Sequence, residues 1–181
     1  MMEYTILRSR RKTIAIEITP RGKILVRAPL RMSRRDIQCF VTSKEDWIQS
    51  HLASLPPVTP LTAEEHLALI QSAKEFLPQR VSFYARQMDV TYGRISIRSQ
   101  QKRWGSCSAS GNLNFNCLLM LMPPAVRDYV IVHELCHRKQ MNHSPAFWAE
   151  VARVLPDYRQ QRQWLAEQCT ALLARLPDAQ K

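Results

Sequence analysis

The sequence predicts an α+β protein in which a small strand-rich module precedes a largely helical region. Three segments within the first thirty residues are rich in β-branched side chains and are separated by turn residues, which favours short strands. Apolar residues then recur at helical spacing over much of the remaining chain, with two further strand patterns between them. A chain of 181 residues, 45% of them hydrophobic, is long enough to bury a substantial core.

The N-terminal module is predicted to hold three strands and one helix. The strands fall at residues 4–8, 13–18 and 23–28. Ser33 followed by Asp36 predicts the start of a helix, and apolar spacing continues that helix to about Leu52. Because a proline-punctuated connector, LPPVTPLT, comes next, we predict a basic strand-rich module over residues 1–55 and a second compact region over residues 56–181.

The second region is predicted to begin with a long helix. Thr62 and Glu65 form a capping-box pattern that starts this helix, and Pro78 is expected to end or kink it before a continuation to about Met88. Strands are predicted over residues 91–98 and 112–121, and further helices over residues 125–141, 145–155 and 157–176.

Charge is the most unusual bulk property of the chain. There are 26 basic and 15 acidic residues, so the formal net charge is +11 and the isoelectric point is near 9.9. Residues 1–35 contain ten Lys or Arg but only Glu3 and Glu17, and residues 94–103 contain no acid. Such a charge distribution attracts polyanions such as nucleic acid or nucleotides, although an ordinary solvated surface is the alternative.

The sequence also predicts a cytoplasmic protein without a membrane segment. The longest apolar stretch, at residues 117–126, is far shorter than the roughly 20 residues that span a bilayer. The N-terminus lacks the apolar core of a signal peptide. Five cysteines at irregular spacing, with no CxxC pair, argue against a disulfide framework and agree with a reducing compartment.

The strongest chemical signal is the pattern His133-Glu134-x-x-His137 within the helix predicted over residues 125–141. Two histidines four residues apart lie on one helical face, so both imidazoles can reach a single zinc ion at about 2.0–2.1 Å. A bound zinc lowers the pKa of its water to about 7, and Glu134 is placed to accept the proton. Two helical histidines satisfied by ordinary hydrogen bonds are the structural alternative.

A catalytic zinc usually has three protein ligands and one open position, so a third ligand is needed. We favour His143, six residues beyond the motif, because this gap lets the helix end and the chain fold back. Glu150 and Glu167 are the alternatives, and Cys136 is more typical of helix packing. Gln140, where metzincins have glycine, and the absence of a Met-turn exclude the metzincin class.

Four segments together resemble the YgjP-like metallopeptidase family. They are Arg103-Trp104-Gly105-Ser106-Cys107, the strand at residues 112–123, His-Glu-Leu-Cys-His at 133–137, and Asn-His-Ser-Pro-Ala-Phe-Trp at 142–148. The resemblance implies a minimal zincin core, in which a short sheet packs on the active-site helix and the C-terminus is helical, related to SprT-like metalloproteases. It also implies one Zn²⁺ per chain bound by His133, His137 and His143, with Glu134 as general base.

Two hydrolytic reactions and one binding role follow as hypotheses. The first is hydrolysis of a peptide bond, with the strand at residues 112–121 offering its edge to an extended peptide substrate. The second is hydrolysis of a phosphoanhydride in a nucleotide substrate, as in a nucleoside triphosphate pyrophosphatase, because residues 94–103 are basic. The third adds nucleic-acid binding by residues 1–55, which would deliver a protease to protein on DNA.

Residues beside the predicted site have two interpretations each. Arg103 is a candidate for substrate binding, since it could stabilise an oxyanion or hold a phosphate. The simpler interpretation is that Arg103 belongs to an ordinary solvated basic surface. Trp104 is a second candidate for substrate binding, by stacking. For Trp104, Phe147 and Trp148, packing around the site is the favoured interpretation. Gly105 is expected to permit a tight turn between strands.

Overall fold

The computed structural model describes residues 2–55 and 57–177, and it confirms the predicted α+β class. Residues up to Thr59 form one compact unit and residues from Pro60 onward form a second. The predicted boundary between residues 55 and 56 stays a prediction. None of the described helices combines the length and the apolarity that crossing a bilayer requires.

The first unit is a three-stranded sheet followed by two helices. Its elements are β1 (Thr5–Ser9), β2 (Ala15–Ile18), β3 (Ile24–Pro29), α1 (Arg34–Thr42) and α2 (Glu45–Ala53). The central strand is β3, which pairs parallel with β1 and antiparallel with β2. The core contains Val26 from β3, Ile37 from α1 and Ile48 from α2, each fully buried.

The prediction of one continuous helix to about Leu52 is wrong, because the helix breaks at Ser43 and Lys44. The Ser43 hydroxyl donates to the Phe40 carbonyl oxygen at 2.8 Å, and Lys44 leaves the helical region with φ −113° and ψ 12°. Serine competes with the helix by bonding to the backbone nearby. The break lets Ile48 turn into the core instead of continuing the direction of α1.

The second unit contains another three-stranded sheet, with β4 (Ile95–Arg98), β5 (Gly105–Cys107) and β6 (Leu113–Asn116). The order is β4-β6-β5, in which β6 is parallel to β4 and antiparallel to β5. Because β6 has a neighbour on each side, the prediction that the strand at 112–121 offers its edge to a substrate is wrong. Within the described residues β5 pairs on one side only, so the free edge next to the hairpin belongs to β5, which the sequence analysis did not predict as a strand.

Only the first half of the strand predicted over residues 112–121 is a strand, since Cys117–Leu121 form a 3₁₀ helix. Asn116 explains the change. Its Oδ1 accepts from the backbone N–H of Leu118 at 3.1 Å, and its Nδ2 donates to the carbonyl oxygens of Gln100 at 2.6 Å and Arg103 at 3.1 Å. The short helix turns consecutive apolar side chains into the core, which period-two alternation cannot do.

Four helices complete the second unit: α3 (Ala63–Met88), α4 (Pro124–Cys136), α5 (Pro145–Val154) and α6 (Tyr158–Ala174). The capping box of Thr62 and Glu65 is present at the start of α3. The helix continues through Pro78, because its neighbours Leu77 and Val81 are fully buried and their packing outweighs the lost hydrogen bond. The helix predicted over 125–141 is shorter and ends at Cys136.

Helix α4 carries the His-Glu-x-x-His motif and lies inside the second unit. Its residues Ile131, Val132 and Leu135 are fully buried, so several sides of the helix contact other elements. Arg80 on α3 holds Asp128 of α4 through two charge-assisted bonds, from Nε at 2.7 Å and from Nη2 at 2.6 Å. A helix held on several sides is a rigid support for the side chains at its end.

Candidate metal centre

Two of the three predicted ligands lie on consecutive turns at the end of α4. His137 is the C-cap but keeps helical backbone angles, φ −63° and ψ −15°, so the i,i+4 relation with His133 is intact. Their ring centroids are 5.1 Å apart. The chain then turns back, helped by the Gln140 N–H donating to the Cys136 carbonyl oxygen at 2.9 Å. Ser144 caps α5 immediately after His143.

This return brings the third histidine to the other two. The ring centroid of His143 is 4.9 Å from those of both His133 and His137. One nitrogen from each of the three rings lies within 4.8 Å of the others, which makes this a group able to hold one ion within the described part of the chain. The Nε2 atoms of His133 and His143 are 3.0 Å apart, close to the about 3.3 Å expected between two ligands of tetrahedral zinc.

Two of the imidazoles are oriented by different means. Nδ1 of His137 lies 3.0 Å from the Gln140 carbonyl oxygen, and because a carbonyl only accepts, Nδ1 carries the proton and Nε2 is left with a lone pair. Nδ1 of His133 is buried with no hydrogen-bond partner among the described residues. Packing holds that ring instead, with Tyr129 at 5.9 Å and Phe147 at 4.9 Å between centroids.

The environment keeps His133 neutral. Burial lowers its pKa to about 3, and the neighbouring His137 and His143 add to the effect. Burial also lowers the pKa of His137. Neutral imidazole is the form that donates a lone pair to a metal. The chemistry of the three donors therefore fits a divalent ion that accepts nitrogen, and three nitrogens leave one position open in a four-coordinate site.

Glu134 is buried beside the histidines, with 6% of its surface exposed, and it lies against β5. A Cβ atom placed on Gly105 would be only 2.6 Å from Oε1 of Glu134 and 2.7 Å from Cγ. Glycine is therefore required at this position for the carboxylate to lie next to the strand. Burial raises the pKa of Glu134 to about 8, and the positive charge of Arg103 acts in the opposite direction.

The histidines and Glu134 line an open cleft of about 330 Å³. Arg103 lines the same cleft, as do residues of β5. Trp104 is not among the lining residues, since it packs partly buried against the core. Phe147 is fully buried and contacts all three histidine rings. Trp148 stacks on His143, with 5.8 Å between ring centroids.

The alternative ligands of the sequence analysis lie outside this group. Glu150 pairs with Lys139 at 3.3 Å and with Arg153 at 3.1 Å. Glu167 accepts from Gln163 at 3.0 Å on the exposed surface of α6. Cys136 is fully buried.

Sequence reasoning missed two residues that shape the site. The prediction of a tight turn at Gly105 is wrong, because Gly105 is the first residue of β5, and an isolated glycine in a strand often marks a close approach of another group. Arg138, directly after the motif, donates from Nε to the Thr91 carbonyl oxygen at 2.9 Å and from Nη1 to that of Ala109 at 3.2 Å. Arg138 thereby links the turn between β5 and β6 to the end of α4. No sequence pattern predicts this contact.

A helix that presents His-Glu-x-x-His beside a small sheet is the arrangement typical of metallopeptidases. The comparison with family models agrees: the YgjP-like metallopeptidase domain matches residues 12–69 and 61–168. The chain therefore belongs to the YgjP-like family, which indicates a metal-dependent peptidase. A search of curated proteins finds no match.

Two solved structures are similar to part of the chain. The metallopeptidase zymogen abylysin of Pyrococcus abyssi is 18% identical, with a TM-score of 0.47 over 51% of this chain and 94% of its own. The metallopeptidase zymogen jannalysin of Methanocaldococcus jannaschii is also 18% identical, with a TM-score of 0.45 over 50% of this chain and 94% of its own.

The geometry predicts that His143, and neither glutamate, is the third metal ligand. We expect His143→Ala to lower zinc affinity by at least about 100-fold, because a two-histidine site holds the ion weakly. Competition with a chromophoric chelator measures the affinity, and elemental analysis measures the metal content. Glu167→Ala is the matched control and should bind one zinc per chain unchanged. Loss of zinc from Glu150→Ala or Glu167→Ala, with His143→Ala unaffected, would reject this assignment.

Proposed function

We propose that the protein is a zinc-dependent peptidase with His133, His137 and His143 as metal ligands and Glu134 as general base. One observation carries the proposal: three imidazole nitrogens lie within 4.8 Å of one another, and a buried carboxylate lines the same cleft. Membership of a metallopeptidase family supports the reaction class. The all-nitrogen donor set favours zinc over magnesium or calcium, which prefer oxygen ligands.

Zinc bound to these nitrogens would act as a Lewis acid on the substrate carbonyl and would acidify water in the cleft. The remaining steps fall to the chain's own groups. Glu134 accepts a proton from water as the water oxygen bonds to the carbonyl carbon of the substrate. It then returns the proton to the leaving amine as the C–N bond breaks. Arg103, in the same cleft, is placed to stabilise negative charge on the carbonyl oxygen.

The hydrogen-bond ladder of β5 supports a path for the peptide. The Asn116 N–H donates to the Trp104 carbonyl oxygen at 2.8 Å, and the Ser108 N–H donates to the Asn112 carbonyl oxygen at 2.9 Å. In an antiparallel ladder these bonds recur at every second residue. The backbone groups of Ser106, midway between Trp104 and Ser108, therefore also face β6.

The backbone N–H and C=O groups of Gly105 and Cys107 consequently point away from β6. No other strand within the described residues pairs with β5, and both residues line the cleft beside Glu134. An extended peptide can add to this edge as a fourth strand, which would carry its scissile bond past the histidines. The free edge of β5 thus replaces the edge that the sequence analysis assigned to residues 112–121.

The role of Glu134 is tested by Glu134→Gln, which keeps the size of the side chain but cannot accept the proton. We expect zinc content to stay at one per chain and zinc-dependent cleavage of unstructured protein to fall by about 100-fold or more. The assay follows cleavage of casein or a quenched fluorescent peptide panel with and without added zinc. Cleavage that persists in Glu134→Gln would remove the carboxylate from the mechanism, and inertness of the wild type to the whole panel would reject peptidase activity.

The close approach of β5 to Glu134 is tested by Gly105→Ala. The added methyl group must displace the carboxylate, so we expect kcat to fall by about 10–100-fold, because misplacement by about 1 Å is costly in catalysis. Zinc affinity should be unchanged, since the histidines are not displaced. Gly93→Ala is a matched control, because its Cβ would lie 2.6 Å from Oδ1 of Asn112, away from the cleft. Equal kcat for the two variants would contradict the positioning role.

A second candidate function is hydrolysis of a nucleotide phosphoanhydride. The observation that favours it is Arg103 in the metal cleft, since a guanidinium is suited to bind a phosphate. The rest of the basic stretch 94–103 gives less support, because no other lysine or arginine of that stretch is among the residues that line the cleft. If this candidate is correct, zinc-loaded protein releases phosphate or pyrophosphate from a nucleoside triphosphate panel, and Arg103→Gln raises KM. No release from any nucleotide would exclude it.

A further inference from the structure

One end of the first sheet brings together basic side chains from two separate segments of the chain. Strands β1 and β3 are parallel, with Ser9 opposite Pro29, so both end at the same side of the sheet. Strand β2 is antiparallel to β3 and begins there, with Ala15 opposite Arg27. The β1–β2 loop and the turn from β3 into α1 therefore lie together. The basic end carries the exposed side chains of Arg8, Arg10, Lys12, Arg31, Arg34 and Arg35.

Hydrogen bonds hold the turn after β3 in place. Nη1 of Arg8 donates to the carbonyl oxygens of Pro29 at 3.1 Å, Leu30 at 3.0 Å and Met32 at 2.7 Å. The guanidinium thereby links the end of β1 to this turn. The backbone that presents Arg31 is therefore ordered before any ligand binds, which reduces the entropy lost on binding.

The charges of the basic end are not neutralised by acids of the segments that build it. Residues 8–14 and 28–36 contain one acid, Asp36, whose carboxylate accepts a hydrogen bond from the Ser33 hydroxyl at 2.7 Å. Among the described residues, none of the six basic side chains has an ion pair, whereas Arg27 on the neighbouring strand pairs with Glu17 at 2.6 Å. Helix α1 also begins here, and its N-terminus adds a partial positive charge.

We propose that the basic end binds the phosphate backbone of a nucleic-acid duplex. Six like charges brought together without acid partners repel one another, and a polyanion relieves this repulsion while releasing counterions. Five of the six are arginines, whose planar guanidinium matches phosphate oxygens. Residues 8–14 and 28–36 contain no Phe, Trp or Tyr, so this end lacks the platforms on which single-stranded bases stack. The contacts are therefore to phosphates and are independent of base sequence.

An anionic membrane is the other polyanion to be considered, and the surface suits it less well. Within residues 8–14 and 28–36, all of which the structure describes, one large hydrophobic side chain is exposed. It is Leu30, which is 56% exposed. Membrane-surface segments present an apolar face of several side chains for insertion. Binding at the basic end does not depend on the metal centre. The sequence predicts nucleic-acid binding somewhere within residues 1–55, and the basic end is the part of that module to which we assign it.

The test is fluorescence anisotropy of the full chain with a labelled DNA duplex and an RNA duplex of about 20 base pairs, over about 50 to 250 mM KCl. We expect affinity to fall linearly with salt on logarithmic axes. Arg31→Gln/Arg34→Gln/Arg35→Gln should weaken binding by about tenfold or more at 100 mM and lower the magnitude of the salt slope by about 2 to 3, because about three phosphate contacts are lost. Circular dichroism checks that the variant is folded.

The matched control is Arg86→Gln/Arg94→Gln/Arg98→Gln, which removes the same charge from exposed positions of the second unit. It should keep the wild-type salt slope, and Glu134→Gln should bind duplex as the wild type does even if the peptidase proposal fails. Equal losses in the two triple variants would overturn the assignment to the basic end. So would the absence of salt-dependent duplex binding, or binding through Arg31, Arg34 and Arg35 to phosphatidylserine vesicles alone.

Discussion

The convergence of three imidazole rings is the constraint on which the candidate metal centre depends. His133 and His137 meet because they lie one turn apart on α4, whereas His143 reaches them only because the helix ends and the chain reverses. Such a cluster needs neutral rings, since protonated neighbours would repel one another. Burial meets this need at His133 and His137, and Phe147 packs against all three rings. The same burial that lowers the pKa of His133 and of His137 prepares the lone pairs of these two rings for a metal.

The position of Glu134 depends equally on what surrounds α4. A buried carboxylate is costly unless it is paired, and no hydrogen bond to Glu134 is found among the described residues. The backbone of β5 approaches it closely at Gly105, and Arg103 lies in the same cleft. An unpaired acid held next to three imidazoles is unfavourable for stability but suits proton transfer. A residue placed at the expense of stability in this way is typical of catalytic sites.

The two units contain sheets of the same strand order, although the surfaces that these sheets support differ in charge and chemistry. Each sheet has its first strand parallel to its third and its second antiparallel to its third. In the second unit this topology places the free edge of β5 beside the histidines. In the first unit it gathers the ends of β1 and β3 and the start of β2, and with them the basic residues of two loops. The same strand order thus accompanies a histidine-lined cleft in one unit and a basic surface in the other.

The sequence alone determined what depends on local spacing. Helical periodicity placed His133 and His137 on one face, a capping pattern began α3 at Thr62, and a short gap favoured His143 as the third ligand, because each feature is encoded within a few residues. The tertiary structure decided what depends on contacts between distant segments. Gly105 lies in a strand against Glu134, Asn116 ends β6 by bonding to residues 13 and 16 positions away, and the basic residues of the first unit meet at one end. Strand pairing and the close approach of backbone to side chain are nonlocal, so no periodicity in the chain reveals them.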